Sequence, residues 1–259
     1  MFGKTKLALI VAEFFGAATL TAVVLAVSKS GVGFPYFIAI GMGIAVAVML
    51  LAVGSVRDVS FNPAITFGLW SARKVSTLNA VVAIAGQMLG AVAAWKVFEY
   101  LTDAPLQSIA NKEFDWRVFT AEAIGTFILG LAVSAVVYYE YKGNQAAATI
   151  GAGLFLAIVL SSVASNGLVN PAVALGVQSW SLAYVAGPLL GALLAVNFYA
   201  IVFAPNGTFT ISTANAVATK PVATKKVATK KVTSSKAVKA KKAPAKKKPV
   251  AKRTTARKR

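Results

Sequence analysis

The chain has 259 residues, of which 57% are hydrophobic and 14% charged, and its formal net charge is +19. Much of that charge lies in the C-terminal segment, so the rest of the chain is strongly apolar. There is no His and no Cys, which excludes the usual metal sites, catalytic triads and thiol chemistry. The acidic residues form no close catalytic pair either. We therefore expect neither an enzyme nor a protein with a cofactor.

Six stretches are apolar on every side and reach the roughly 20 residues that a membrane-spanning helix needs. Short loops join them, and none shows the one-sided periodicity of a helix on a soluble domain. In chain order, the predicted spans cover approximately residues 7–27, 36–56, 78–101, 118–139, 146–165 and 182–203. The sequence therefore predicts an all-α protein that crosses a membrane six times.

The distribution of charge predicts the orientation of these spans. One set of loops carries mostly basic residues, namely Lys4, Lys6, Arg73, Lys74 and Lys142. The opposite loops mix basic and acidic residues, and the last of them has no charge. The positive-inside rule then predicts a protein of the cell membrane with both termini on the cytoplasmic side. A cleaved signal peptide is the alternative for the N-terminus, but its apolar run is too long and contains Glu13.

Two short segments between the spans carry the same motif. Asn62, Pro63 and Ala64 form the first copy, and Asn170, Pro171 and Ala172 form the second. Asn suits the N-cap of a helix and Pro suits its first position, so each motif predicts a helix that begins inside apolar chain. These helices, ending near residues 73 and 178, are too short to cross a bilayer. We expect two half-helices.

The two halves of the chain repeat each other. Glu13 in span one lies 49 residues before Asn62, and Glu122 in span four lies 48 before Asn170. Repeat one covers about residues 7–101 and repeat two about 118–203. Because each repeat contributes three spans, the second repeat enters the membrane from the opposite face. The repeat is therefore inverted, and the half-helices meet head to head.

The doubled motif and the matching glutamates resemble those of the major intrinsic protein family, the aquaporins and glycerol facilitators. The segment from Gly187 to Ala192 in span six resembles the family as well, and the resemblance covers about residues 5–203. It implies an aquaporin-like, right-handed six-helix bundle with two re-entrant half-helices, a pore in each subunit and a homotetramer.

Asn62 and Asn170 have the chemistry for such a pore. Their amides can donate to a passing oxygen atom while two helix dipoles direct their positive ends at the same point. This arrangement favours water or a hydroxyl group and opposes cations and proton relay. Alternatively, both residues only cap helices. By resemblance, Glu13 and Glu122 support the backbone that leads into the half-helices, although ionisable groups in a membrane can also contact a substrate.

The sequence departs from the family at the narrowest part of the pore. Most water channels of the family have an Arg at the position of Val173, and glycerol facilitators have an Asp at that of Ala174. The loop His of the family corresponds to Ser60. By resemblance the constriction consists of Met42, Ile158, Gly167 and Val173. We therefore expect a channel for water whose relaxed selectivity also admits other small uncharged solutes.

The C-terminal segment has a different composition from the channel domain of residues 1–203. Seventeen of the 27 basic residues lie after that domain, which itself carries ten basic and eight acidic residues, or +2. Residues 204–259 are predicted to form a disordered, basic cytoplasmic tail, similar in composition to the tails of linker histones. Its expected partners are anionic lipid or nucleic acid. A weakly conducting structural or tethering protein is the alternative function.

Overall fold

A computed structural model describes residues 4–31, 35–54, 58–109 and 113–205, and in this part of the chain every regular element is an α-helix. The helices in order are α1 (Lys4–Lys29), α2 (Pro35–Ala52), α3 (Pro63–Ser71), α4 (Thr77–Thr102), α5 (Trp116–Tyr138), α6 (Gly143–Ser161), α7 (Pro171–Gly176) and α8 (Leu182–Val202). Six of these are long and apolar enough to cross a membrane. The predicted all-α membrane fold is confirmed.

The fifth span differs most from its predicted bounds. Helix α6 begins at Gly143 and ends at Ser161, whereas the apolar run predicts residues 146–165. At this end Ser161 Oγ donates to the Ala157 carbonyl (2.8 Å) and Ser162 Oγ to the Ile158 carbonyl (2.6 Å), and such bonds slightly destabilise a helix. The next four residues, of which only Val163 and Ala164 are apolar, leave the helix, so hydropathy alone overestimates its length.

The half-helices α3 and α7 begin at the repeated motif. Asn62 Oδ1 accepts the N–H of Ala64 at 2.9 Å, and Asn170 Oδ1 accepts that of Ala172 at 3.0 Å. A proline follows each cap at the first helical position. Both helices are too short to span a bilayer, with 9 and 6 residues.

Reciprocal contacts relate the two halves of the fold. Helix α1 packs on α4 as α5 packs on α8, and α2 crosses α6. At that crossing Gly43 and Gly151 face each other, since a Cβ on either would lie 2.8 or 2.7 Å from the other's carbonyl oxygen. Half-helix α3 packs on α8, and α7 packs on α4. Each half-helix therefore packs on a long helix of the other half, and these contacts join the two halves.

The outer faces of the long helices are apolar. Large side chains remain exposed along the bundle, among them Ile44, Val81, Leu89 and Leu101. Such faces suit contact with lipid. The predicted channel domain contains all eight helices, whereas the predicted tail lies outside the described residues apart from Ala204 and Pro205.

Candidate functional site

The N-termini of the two half-helices are joined by a pair of reciprocal hydrogen bonds. Asn62 Nδ2 donates to the carbonyl oxygen of Val169 at 2.8 Å, and Asn170 Nδ2 donates to that of Phe61 at 2.9 Å. Each asparagine thus caps its own half-helix through Oδ1 and holds the opposite segment through one N–H. The second N–H of each amide has no partner among the described residues. It remains available to a molecule at this point.

The segment before α3 is held by a buried polar network. Phe61 has a left-handed backbone (φ 55°), a costly conformation for a bulky residue. The Glu13 carboxylate, 0% exposed, accepts the N–H groups of Ser60 (2.8 Å) and Phe61 (2.7 Å). Gln87 Nε2 donates to Glu13 (2.8 Å) and lies within hydrogen-bond distance of the hydroxyl groups of Ser60 and Thr66. This network compensates backbone groups that lipid could not satisfy.

The segment before α7 has the same arrangement with fewer polar side chains. Val169 has a φ of 46°, which is strained for a β-branched residue. Glu122, also 0% exposed, accepts the N–H groups of Leu168 (3.0 Å) and Val169 (2.6 Å). Ser165 Oγ donates to the same carboxylate at 2.8 Å. Both glutamates therefore hold backbone rather than face an open space.

Gln87 belongs to this site, although the sequence interpretation gave it no polar role. The repeat aligns Gln87 with Pro188 of α8, so only the first half carries an amide here. An isolated amide inside an apolar span was the available signal, because such groups are costly in a membrane and tend to be functional.

Several backbone carbonyl groups lack partners near the point where the N-termini of α3 and α7 meet, which we call the crossing of α3 and α7. The carbonyl oxygens of Ser60, Gly167 and Leu168 accept no hydrogen bond from any described residue. Leu168 is only 2% exposed. Because a buried carbonyl group costs free energy when it is unpaired, these oxygens are suitable acceptors for a small molecule that donates hydrogen bonds.

The four residues of the predicted constriction are apolar and nearly inaccessible. Met42 is 1% exposed, and Ile158 and Val173 are 0% exposed. All three belong to one buried apolar cluster. Gly167 has a φ of 63°, and a Cβ there would lie 3.1 Å from Cγ2 of Ile158, so these two residues are adjacent. These four residues present almost no surface to water and carry no charge.

Comparisons with known proteins show what this chain is similar to. A family model described as "Major intrinsic protein" matches residues 4–199. "Aquaporin AqpM" of Methanothermobacter thermautotrophicus is 28% identical over 222 residues, covering 72% of this chain and 90% of that protein. "Aquaporin NIP1-1" of Oryza sativa subsp. japonica is 30% identical over 211 residues, covering 74% and 73%. The structure titled "X-ray structure of the aquaglyceroporin from Plasmodium falciparum" has the same fold, with a TM-score of 0.61, 18% identity, and coverage of 75% of this chain and 95% of that one.

Proposed function

Because the chain belongs to the major intrinsic protein family, and is thus a membrane channel for water or small solutes and not an enzyme, we propose that it conducts water and other small uncharged molecules through an apolar constriction that lacks the filter Arg. The proposed path passes the crossing of α3 and α7 and the ring of Met42, Ile158, Gly167 and Val173.

The reciprocal hydrogen bonds of Asn62 and Asn170 are the observation that carries this proposal. They fix two helix N-termini against each other, so the positive ends of both dipoles and two unused amide N–H groups converge. A molecule that accepts hydrogen bonds is stabilised there. A cation meets positive potential on both sides and loses water that the surrounding apolar residues cannot replace.

The same arrangement opposes proton relay. Two oriented donors at the crossing make a water molecule accept from both amides, so its own hydrogen atoms point outward along the path. A chain of water molecules cannot then keep one direction of donation through the crossing. In this proposal Pro63, Ala64, Pro171 and Ala172 start the half-helices and bring the two amides to the midplane.

The constriction sets a different kind of selectivity from a ring that contains Arg. Val173 supplies neither a fixed positive charge nor a bidentate donor, so polar solutes are less well aligned. An apolar ring instead gates by dewetting and favours uncharged solutes. Glu13 and Glu122 act in this proposal as supports for the segments before α3 and α7.

Further features of the proposal concern assembly and orientation. We propose that the protein lies in the cell membrane with both termini on the cytoplasmic side, because the basic loops lie on that side. We also expect a homotetramer. The tail of residues 204–259 remains predicted to contact anionic lipid or nucleic acid. Binding of the full-length protein, but not of a chain ending at Pro205, to DNA or to anionic vesicles at low salt would identify the partner.

Osmotic experiments on proteoliposomes test conduction directly. Stopped-flow light scattering should show faster shrinkage in response to an impermeant osmolyte than empty liposomes show. Swelling in isotonic urea and in isotonic glycerol then ranks the solutes. Rates equal to those of empty liposomes for water, urea and glycerol would overturn the proposal.

That negative result would favour the second candidate, a weakly conducting structural or tethering protein. The observation in its favour is the near absence of exposed surface on Met42, Ile158 and Val173, which a packed plug would also produce. A protein of this kind would retain the fold and its membrane location, and its basic tail would provide the tethering function.

A further inference from the structure

A cavity of about 350 Å³ adjoins the constriction on the side of the 103–109 segment. Two of its lining residues place it beside the ring. Leu168 follows Gly167 directly, and Ile38 precedes Met42 by about one helical turn on α2. The cavity therefore lies beside the ring, and in the proposed function a solute that approaches the ring from this side enters it.

The 103–109 segment is fixed over this cavity by backbone hydrogen bonds. The N–H of Ile109 donates to the carbonyl oxygen of Gln178 at 2.9 Å, just beyond the end of α7. The N–H of Leu106 donates to Glu99 Oε1 at 2.9 Å. Because Leu106 and Ile109 both line the cavity, two of its apolar walls are held in place.

The chemistry of the lining is mostly apolar and carries no charge. Eight of the twelve lining residues are apolar, and the other four are Ser28, Gln107, Ser165 and Asn166. The hydroxyl of Ser165 is already bonded to Glu122. Near the ring, the lining includes Leu168, whose carbonyl oxygen accepts no hydrogen bond from a described residue and is therefore available as an acceptor.

This combination selects among uncharged solutes. A solute with N–H groups can pair with this carbonyl oxygen, and a methyl group can leave water for the apolar walls. A polyol carries a hydroxyl group on every carbon, so the hydroxyl groups that do not reach a partner lie against the apolar walls, which costs free energy. An ion would find no counter-charge there.

We propose that this cavity binds small uncharged amides that carry a methyl group, and that the channel therefore prefers methylurea to urea. The proposal rests on the proposed function, because the cavity acts on solutes that then pass the ring. Burial of one methyl group corresponds to a preference of about fourfold, or ~0.8 kcal/mol.

Isosteric substitutions of Val by Thr test the cavity without changing its shape. Val24→Thr on α1 and Val177→Thr after α7 each place a hydroxyl on an apolar wall. Val48→Thr on α2 is the matched control, because Val48 is 56% exposed on the outer face of the bundle. Elution in size-exclusion chromatography and the melting temperature establish that each variant is folded.

The measured quantity is the ratio of methylurea to urea permeability, after subtraction of the rates for empty liposomes. We expect a ratio of about four for the unmodified protein, a ratio near one for either cavity variant, and no change for Val48→Thr. A ratio of one or below in the unmodified protein overturns the proposal. A ratio above one that neither folded cavity variant alters also overturns it, since the preference then arises at the ring.

Failure of the proposed function gives a different result. In that case the unmodified protein passes neither water nor urea faster than empty liposomes do. A protein that conducts water and urea but shows no preference for methylurea contradicts only the cavity proposal.

Discussion

Phe61 and Val169 occupy the same place in the two halves of the molecule. Each has a left-handed backbone, with φ of 55° and 46°. Each donates its N–H to a buried carboxylate of its own half, Phe61 to Glu13 at 2.7 Å and Val169 to Glu122 at 2.6 Å. Two bulky residues therefore hold an unfavourable conformation because a buried carboxyl group fixes each of them.

The carbonyl groups of the same two residues join the halves. Phe61 accepts from Asn170, and Val169 accepts from Asn62. The glutamates, the strained residues and the asparagine caps thus form two chains of hydrogen bonds, which the peptide bonds Phe61–Asn62 and Val169–Asn170 join across the middle of the bundle. Loss of any member should affect both half-helices.

Glu122→Gln should destabilise the protein. A glutamine can accept one of the two backbone N–H groups through its oxygen, but its NH₂ group then faces the other. Leaving one buried donor unpaired costs about 1–3 kcal/mol. We expect a lower melting temperature in detergent, measured by tryptophan fluorescence, and a smaller fraction of correctly assembled protein.

Glu140→Gln provides the matched control, since Glu140 is exposed and precedes α6. It should leave both quantities unchanged. Normal permeability of the Glu122→Gln protein that does assemble would support a structural role. Lost permeability at an unchanged melting temperature would instead indicate that Glu122 contacts the solute.

Local features of this site follow from the sequence, and long-range ones do not. The caps at Asn62 and Asn170 were predictable because capping involves residues two or three positions apart. The donation from Asn62 to Val169 joins residues 107 positions apart, and its choice of acceptor depends on how the halves pack. The left-handed backbone at Phe61 has no signal in the residue type, because only the tertiary contacts stabilise it.

Asn62→Asp separates capping from donation. The carboxylate can still accept the N–H of Ala64, but it cannot donate to Val169 and it adds a negative charge at the crossing. Attraction of even ~1.4 kcal/mol would raise cation entry about tenfold. We expect a cation leak in proteoliposomes, measured with a potassium gradient and a voltage-sensitive dye.

Asn144→Asp adds the same charge in the exposed first turn of α6 and should produce no leak. If the folded Asn62→Asp protein were no more permeable to potassium than the unmodified protein, the conduction path would not pass Asn62.

Gly167→Ala should reduce both stability and conduction. The φ of 63° is unfavourable for alanine, and its Cβ would lie 2.5 Å from Oγ of Ser162 and 3.0 Å from the carbonyl oxygen of Ile158. Gly143→Ala is a close control, because Gly143 has a φ of 52° with nothing within 4 Å of the position of a Cβ. Both variants share the backbone cost of roughly 1–2 kcal/mol.

We expect Gly167→Ala to lower the melting temperature further than Gly143→Ala does, because only the former also displaces a neighbour. Water permeability should fall only for Gly167→Ala. Equal effects of the two substitutions on stability and permeability would show that the space beside Ile158 is not restrictive.

Met42→Ala distinguishes an apolar gate from a packed plug. Met42 is the flexible member of the ring, whereas Ile158 and Val173 are β-branched and stiff. If the path runs through the ring, removal of the Met42 side chain widens it and lowers the cost of wetting, so water permeability should rise by roughly an order of magnitude. If the ring is a plug, the substitution leaves only a cavity that costs about 2–5 kcal/mol, and permeability stays at the level of empty liposomes. Met49→Ala, on the same helix and only partly buried, controls for the loss of a methionine, and stopped-flow shrinkage with the melting temperature separates the two cases.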